Sequence, residues 1–162
     1  MSNERHGEWH EWPFEPLPVL RALDRHGVEY VLIGGLAAVL QGSPLPTYDI
    51  DITPAPDTAN TGRLRAALAD TDAIALTDVE DVREAFREKV DLSFYTPFAH
   101  IDLHHKPAGF NTYAALRRNA LLLQLEPDLT ILVSPMRDII LSRTATGDQR
   151  QLPALEAVLE LA

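Results

Sequence analysis

The sequence predicts an α+β fold, a mixed β-sheet with helices packed on it. Apolar residues at helical spacing and short β-branched segments of alternating polarity follow one another along the 162 residues. Glycine and proline stand between these segments, where they end regular elements. The length supports one domain with a core and is too short for two ordinary domains. We therefore expect one domain over residues 17–162, preceded by an N-terminal arm of residues 1–16.

The first half of the chain alternates helices with strands. Leucines at 17, 20 and 23 repeat at helical spacing until Gly27, which predicts the first helix. A β-branched run ends at the pair Gly34-Gly35 and predicts a strand. Gly42, Pro44 and Pro46 predict a loop. The predicted elements are helix 17–26, strand 28–33, helix 36–41, strand 48–53, and helices 57–69 and 79–88.

The second half begins with two strands, "KVDLSFY" and "HIDLHH", joined by "TPFA" in a hairpin-like pattern. Pro107 and Gly109 then turn the chain, and Pro135 falls near the first turn of a later helix, a position that proline favours. Strands and helices thus share one domain, as expected for a mixed sheet. The predicted elements are strands 89–95 and 100–105, helix 112–119, strands 120–125 and 129–133, and helices 135–143 and 152–161.

Composition excludes several classes of protein. The formal net charge of −10 disfavours a protein whose main role is to coat nucleic-acid backbone, because such binding needs lysine and arginine. The absence of cysteine excludes disulfides and thiolate metal sites. No segment is apolar enough to span a membrane, and the first residues lack the apolar region of a secretory signal. We expect a cytoplasmic protein without a membrane partner.

Two aspartates stand one residue apart in "TYDIDI". Because side chains alternate along a strand, Asp49 and Asp51 share one face. In "HIDLHH", Asp102 lies opposite its apolar neighbours in the same way. If the two strands are sheet neighbours, three carboxylates converge, and they would not all stay ionised without a cation. Hard oxygen ligands of this kind suit Mg²⁺ or Mn²⁺.

A double glycine precedes the aspartate pair. Gly34 and Gly35 end a strand where a helix begins, so backbone N–H groups there can approach an anion. One short segment thus carries both hydrogen-bond donors to phosphate and metal ligands. This combination indicates phosphoryl or nucleotidyl transfer from a nucleoside triphosphate. Each signal alone is weak, since turns use Gly-Gly often and an isolated Asp-x-Asp is more often solvated.

Aromatic residues and histidines allow other interpretations. His100 and His104 share the face of Asp102, so a zinc site is conceivable, but we predict that these imidazoles edge the cleft or bond to solvent and that His105 faces the other way. Trp9 and Trp12 could stack on a nucleobase or pin the arm to the domain, and the second is commoner.

The segment "IGGLAAVLQGSPLPTYDIDI" resembles the signature of the polymerase-β-like nucleotidyltransferase superfamily. The rest of the chain is similar to its small prokaryotic members related to type IV toxin–antitoxin nucleotidyltransferases. The resemblance covers roughly residues 17–162 and implies the nucleotidyltransferase fold. It implies that Asp49 and Asp51 bind Mg²⁺ or Mn²⁺, and that Asp102 completes one metal site and helps to deprotonate the attacking hydroxyl.

The resemblance also implies a nucleotide site. Gly34 and Gly35, with Ser43, would line the phosphates, and Arg143 stands where relatives carry a lysine that reaches the nucleotide. The implied reaction is in-line attack on the α-phosphorus of an NTP with release of pyrophosphate. The acceptor could be RNA, a protein or a small molecule. Because a cognate antitoxin protein controls the toxin-like relatives, the resemblance also implies a possible antitoxin partner.

Two further hypotheses belong to other classes. The chain could be a degenerate nucleotidyltransferase that binds nucleotide or a partner without turnover, because the loop "SPLPTY" lacks the basic residue that relatives often carry. It could also be a structural or antitoxin-like partner in a heteromeric complex, an idea based on the Trp-rich arm.

Overall fold

The computed structural model describes residues 13–76 and 81–162. These residues form seven helices and seven strands, and the predicted α+β class is confirmed. In chain order the elements are α1 (Pro16–Arg25), β1 (Tyr30–Ile33), α2 (Gly34–Leu40), β2 (Asp49–Pro54), α3 (Thr58–Asp70), β3 (Ile74–Ala75), α4 (Val82–Glu88), β4 (Leu92–Tyr95), β5 (His100–Leu103), α5 (Tyr113–Asn119), β6 (Leu121–Glu126), β7 (Leu129–Val133), α6 (Met136–Thr146) and α7 (Leu152–Leu161).

The strands form a seven-stranded sheet in the order β3-β4-β5-β2-β1-β7-β6. β2 runs parallel to β5 and β1 runs parallel to β7, whereas the other neighbours are antiparallel. The sheet is therefore mixed, as predicted. The central strand β2 lies between β5 and β1, and β1 leads directly into α2.

The β2–β5 register brings together the strands that carry aspartates. Asp51 pairs with Asp102, and the flanking pairs are Ile50 with Ile101 and Ile52 with Leu103. These four apolar side chains are at most 1% exposed, so they fill the core on the opposite face of the sheet. Burial of this face fixes the register of the two strands, because a shift by one residue would turn the aspartates into the core.

A buried asparagine joins the two central strands. The Asn60 side chain is fully buried on α3; its Oδ1 accepts from the backbone N–H of Glu29 at 2.7 Å. Its Nδ2 donates to the carbonyls of Glu29 and Ala55, at 2.8 and 2.9 Å. One side chain thus satisfies backbone groups just before β1 and just after β2, and it fixes α3 against both strands.

Several elements differ from prediction. The glycine pair lies in the first turn of α2 and not before it. The strand predicted over 89–95 begins only at Leu92, because Lys89 ends α4 in the left-handed conformation (φ 59°). The short edge strand β3 was not predicted, since two exposed residues carry no periodic signal. The start of predicted helix 79–88 and the tryptophans of the arm lie outside the described residues.

Across the described residues, no helix combines the length and the apolar character needed to cross a membrane.

Candidate active site

Three carboxylates meet on the polar face of the sheet. Asp49, Asp51 and Asp102 each offer an oxygen, and these oxygens all lie within 4.8 Å of one another. All three residues are half-buried. The convergence follows from strand parity and from the β2–β5 register, so the structure brings together the aspartates that the sequence singled out. Their role as metal ligands stays a prediction.

The carboxylates repel one another in this setting. Burial, followed by the charges of Asp51 and Asp102 and a hydrogen bond with Asp102, raises the pKa of Asp49 to about 7. The nearby guanidinium of Arg143 acts in the opposite direction and lowers it. Burial and like charge both disfavour the ionised form of Asp49, and a divalent cation would favour it.

Two donors orient the cluster from outside. Ser93 Oγ donates to Asp102 Oδ1 at 2.5 Å, and the two residues face each other across β4 and β5. His104 Nε2 lies 2.9 Å from Asp51 Oδ1. Sequence reasoning missed Ser93, because its role depends on the β4–β5 register. Its only sequence signal was the predicted hairpin between these strands.

Histidines take different places around the cluster. His104 edges the cleft as predicted, and His105 instead contacts Asp91 at 2.7 Å. His100 is buried beside Tyr95, with the rings in edge-to-face contact at 5.5 Å. Among the described residues, the one group with metal-ligand geometry contains no histidine, which leaves the zinc hypothesis without support.

His104 carries positive charge near neutral pH. Burial disfavours the imidazolium, but the hydrogen bond to Asp51 and the charges of Asp51, Asp91 and Asp102 outweigh it. Together they raise the pKa of His104 to about 9. A cation from the end of β5 therefore lies beside the carboxylates, in a site whose loop over residues 42–47 has no basic residue.

Asp51 and Thr47 pack so closely against Gly34 and Gly35 that these positions leave no room for a side chain. Gly34 has φ +69°, and a Cβ placed on it would lie 2.7 Å from Asp51 Oδ2. A Cβ on Gly35 would lie 2.8 Å from Thr47 Oγ1. Any larger residue would push against the carboxylate or the loop that precedes it. Both glycines line the cleft, and their predicted contact with phosphates stays a prediction.

The cleft above the cluster has a volume of about 580 Å³, within the range of small-molecule sites. Asp49 and Asp51 are among its lining residues, and Asp102 is not. Lys106 also lines the cleft, and sequence reasoning missed it although it directly follows "HIDLHH". The cleft therefore combines carboxylates with cations from the segment after β5 and from α6.

Ser43 and Arg143, the other predicted nucleotide contacts, both line the cleft. The buried Ser43 Oγ accepts from the backbone N–H of Leu45 at 3.2 Å, so it shapes the loop as a turn-forming residue does. The guanidinium of Arg143 lies 3.7 Å from Asp148 and is 31% exposed. The structure places both side chains beside the cleft, and contact with a nucleotide stays a prediction.

Gln41 fixes the helix that carries Arg143. Its Nε2 donates to the carbonyl of Ser134 and its Oε1 accepts from the backbone N–H of Met136, both at 2.9 Å. These bonds connect the end of α2 with the turn between β7 and α6. The helix α6 is thereby held against the double-glycine segment across the cleft.

Comparisons with known proteins agree with this geometry. Residues 17–108 match the sequence model of the aminoglycoside-2''-adenylyltransferase family. No curated protein sequence matches the chain.

Three solved structures share the fold. The solution structure of the antibiotic-resistance factor ANT(2'')-Ia is 13% identical with a TM-score of 0.59, and the match covers 90% of this chain and 82% of that one. A Thermotoga maritima protein assigned as a nucleotidyltransferase is 14% identical with a TM-score of 0.59, covering 94% and 99%. ANT(2'')-Ia in complex with adenylyl-2''-tobramycin is 13% identical with a TM-score of 0.50, covering 89% and 94%. At this identity the likeness concerns the fold, and it confirms the predicted nucleotidyltransferase fold.

Proposed function

We propose that this protein moves a nucleoside monophosphate from an NTP to a hydroxyl of a small cationic acceptor. The premise is that the chain belongs to the aminoglycoside-2''-adenylyltransferase family. The observation that carries the proposal is the convergence of Asp49, Asp51 and Asp102 beside a cleft of substrate size. Membership supports the predicted nucleotidyltransferase superfamily. A link to toxin–antitoxin systems stays a prediction.

The three carboxylates fit a divalent cation. They supply hard oxygen ligands, and burial together with the charges of Asp51 and Asp102 raises the pKa of Asp49. Mg²⁺ or Mn²⁺ would be held by Asp49, Asp51 and Asp102. When bound, such a cation neutralises phosphate charge and stabilises the attacking and leaving oxygens of the reaction.

The remaining roles belong to residues of this chain. Asp102 would accept the proton of the acceptor hydroxyl as its oxygen bonds to the α-phosphorus. The bond from that phosphorus to the β-phosphate bridging oxygen then breaks, and pyrophosphate leaves. Gly34 and Gly35, with Ser43, would line the phosphates, and Arg143 would neutralise part of their charge.

A small cationic acceptor suits the acidic character of the chain and the carboxylate of Asp91 at the cleft. Asp91, half-exposed, lines it together with Asp49 and Asp51, and the whole chain has a net charge of −10. The net charge disfavours an RNA acceptor, and Asp91 offers a carboxylate to an amine, while Lys106 and Arg143 of the same cleft would face the triphosphate. The family name and the adenylyl-2''-tobramycin bound to one structural neighbour point to the aminoglycoside class. We therefore favour it over an RNA or protein acceptor of a toxin-like enzyme.

Calorimetric titration tests the nucleotide half of the proposal. Each NTP is titrated with Mg²⁺ or Mn²⁺ and again with chelator, into the wild type and into Asp49→Ala. The matched control is Asp128→Ala, whose carboxylate forms an exposed pair with Arg21. We expect metal-dependent binding in wild type and control and its loss in Asp49→Ala. Failure of every NTP to bind would contradict the proposal.

Transfer of label from α-³²P-NTP to tobramycin tests the acceptor half. Labelled product with tobramycin and none with tRNA would support an aminoglycoside acceptor, whereas label on tRNA alone would contradict it. The alternative, a degenerate enzyme without turnover, is favoured by the loop without a basic residue and by the Arg143–Asp148 pair. It predicts nucleotide binding with no transfer to any acceptor.

A further inference from the structure

His104 lies between two carboxylates at the edge of the cleft. Its Nε2 is 2.9 Å from Asp51 Oδ1, and its Nδ1 is 3.3 Å from Asp91 Oδ2. The sheet fixes the position of this residue, because the backbone N–H of His104 donates to the carbonyl of Ile52 at 2.9 Å. This bond extends the β2–β5 pairing beyond Leu103. The imidazole therefore reaches one candidate metal ligand from the end of the strand that carries another.

Asp91 is itself held in place. Its Oδ1 accepts from the backbone N–H of His105 at 3.1 Å and contacts Nδ1 of the same residue at 2.7 Å. Asp91 directly precedes β4, whose first residue Leu92 pairs with Leu103. The contacts connect the start of β4 with the end of β5. They fix the ring of His104 on the side opposite to Asp51.

Both oxygens of Asp51 are constrained. Oδ1 is bonded by His104, and Oδ2 lies so close to Gly34 that an added Cβ would be 2.7 Å away. The Asp51 side chain is only 18% exposed, so protein contacts and not solvent set its orientation. Outer partners that hold a ligand in this way contribute to metal affinity although they do not touch the metal.

We propose that His104 is a positioning residue, which orients the Asp51 carboxylate for a divalent cation while Asp91 fixes the imidazole ring. The inference rests on the proposed function and deepens it. A histidine that only braced the β4–β5 connection would need its contact with Asp91 alone. The contact with Asp51 distinguishes the two roles, and it can be removed separately.

Two substitutions of the same residue make the separation. In His104→Gln the amide nitrogen reaches the place of Nε2 and still donates to Asp51. The shorter side chain of His104→Asn reaches only the place of Nδ1 and keeps Asp91. Mn²⁺ binding to the full chain is measured by electron paramagnetic resonance of the free ion. We expect Asn to weaken binding by about 10–100-fold and Gln by no more than about threefold.

His26→Gln is the matched control, since this histidine also pairs with an aspartate, Asp70 at 3.2 Å, but does not line the cleft. It should bind Mn²⁺ as the wild type does. Equal affinity of wild type and His104→Asn would overturn the inference and leave the proposed function standing. Equal loss in the Gln and Asn variants would also overturn it, because the ring would then act as a ligand or as a charge. A wild type that binds no Mn²⁺ would overturn both.

A second measurement applies if His104→Asn does not fold, as judged by circular dichroism. Ring ¹⁵N resonances are then recorded for the metal-free wild type and for Asp51→Asn. We expect Asp51→Asn to shift the Nε2 resonance of His104 and to leave the ring of His105 unchanged. An unchanged His104 resonance would overturn the inference.

Discussion

Gly34 and Asp51 are in such close contact that a Cβ on the glycine would lie 2.7 Å from the carboxylate Oδ2. Gly34→Ala should therefore displace Asp51 and lower metal-dependent transfer at least about 100-fold, because small misplacements at a reacting centre cost this much. Gly147→Ala is the control: its φ of +76° is equally unfavourable for alanine, but nothing lies within 4 Å of its Cβ. Each should lose about 1–2 kcal/mol from the backbone conformation, and Gly34→Ala should lose more because of its contact with Asp51. Equal activity of the two variants would contradict the interpretation.

Two groups of the metal-free site, Asp49 and His104, should contribute less to stability as pH rises from about 4 to about 9. The pKa of Asp49 is raised from 3.8 to about 7, so its neutral form is favoured by folding and this contribution is lost as pH rises through 7. The pKa of His104 is raised from 6.5 to about 9, so its contribution is present below 6.5 and is lost through 9. Melting temperatures across this range in chelator provide the measurement.

Two substitutions should each remove a different part of this dependence of stability on pH. Asp49→Asn should flatten it between about pH 4 and 7, whereas His104→Gln should flatten it between about pH 6.5 and 9. Saturating Mg²⁺ should stabilise the wild type most at high pH, where the carboxylates are ionised. A profile that is unchanged in Asp49→Asn would argue against a raised pKa at this carboxyl group.

Arg143→Ala should raise the KM for NTP by about 10–100-fold, because a charged hydrogen bond to phosphate contributes about 1.5–3 kcal/mol. Arg150→Ala is the matched control. Both arginines pair with Asp148, but only Arg143 lines the cleft among the described residues. Steady-state kinetics of the two variants should therefore diverge. An equal KM would show that Arg143 serves only its ion pair.

Asn60→Ala should lower the free energy of unfolding by about 2–3 kcal/mol, since the N–H of Glu29 and the carbonyl of Ala55 lose their side-chain partner and the carbonyl of Glu29 keeps only the N–H of Ala55. Urea denaturation measures this change. Asn119→Ala is the control, because its exposed side chain makes one bond, to Asp138 at 3.2 Å. A difference of less than about 1 kcal/mol between the variants would contradict the role given to Asn60.

Much of the site was predictable from short-range pattern. Alternation along "YDIDI" and "HIDLHH" put Asp49, Asp51 and Asp102 on one face each, because the period of a strand is two. The pair Gly34-Gly35 predicted a position where another part of the backbone or a ligand approaches the chain closely. These patterns lie within single segments, so they can be interpreted without knowing which strands are neighbours.

Other parts of the site depended on contacts far apart in sequence. Ser93 bonds Asp102 only because β4 pairs with β5 in one register, and Asp91 reaches His104 through the same pairing. The close approach of Gly34 to Asp51 needs β1 and β2 side by side, where Ile33 pairs with Asp51. No pattern within a single segment carries such information.

The sequence by itself determined the α+β class, the faces of the strands and the three aspartates, because each depends on residue type and on spacing within one element. Only the tertiary structure decided that β2 and β5 are neighbours in a register that pairs Asp51 with Asp102. It also decided that His104 contacts Asp51. The physical reason is that burial of the apolar faces selects the pairing, and burial is a property of the whole chain.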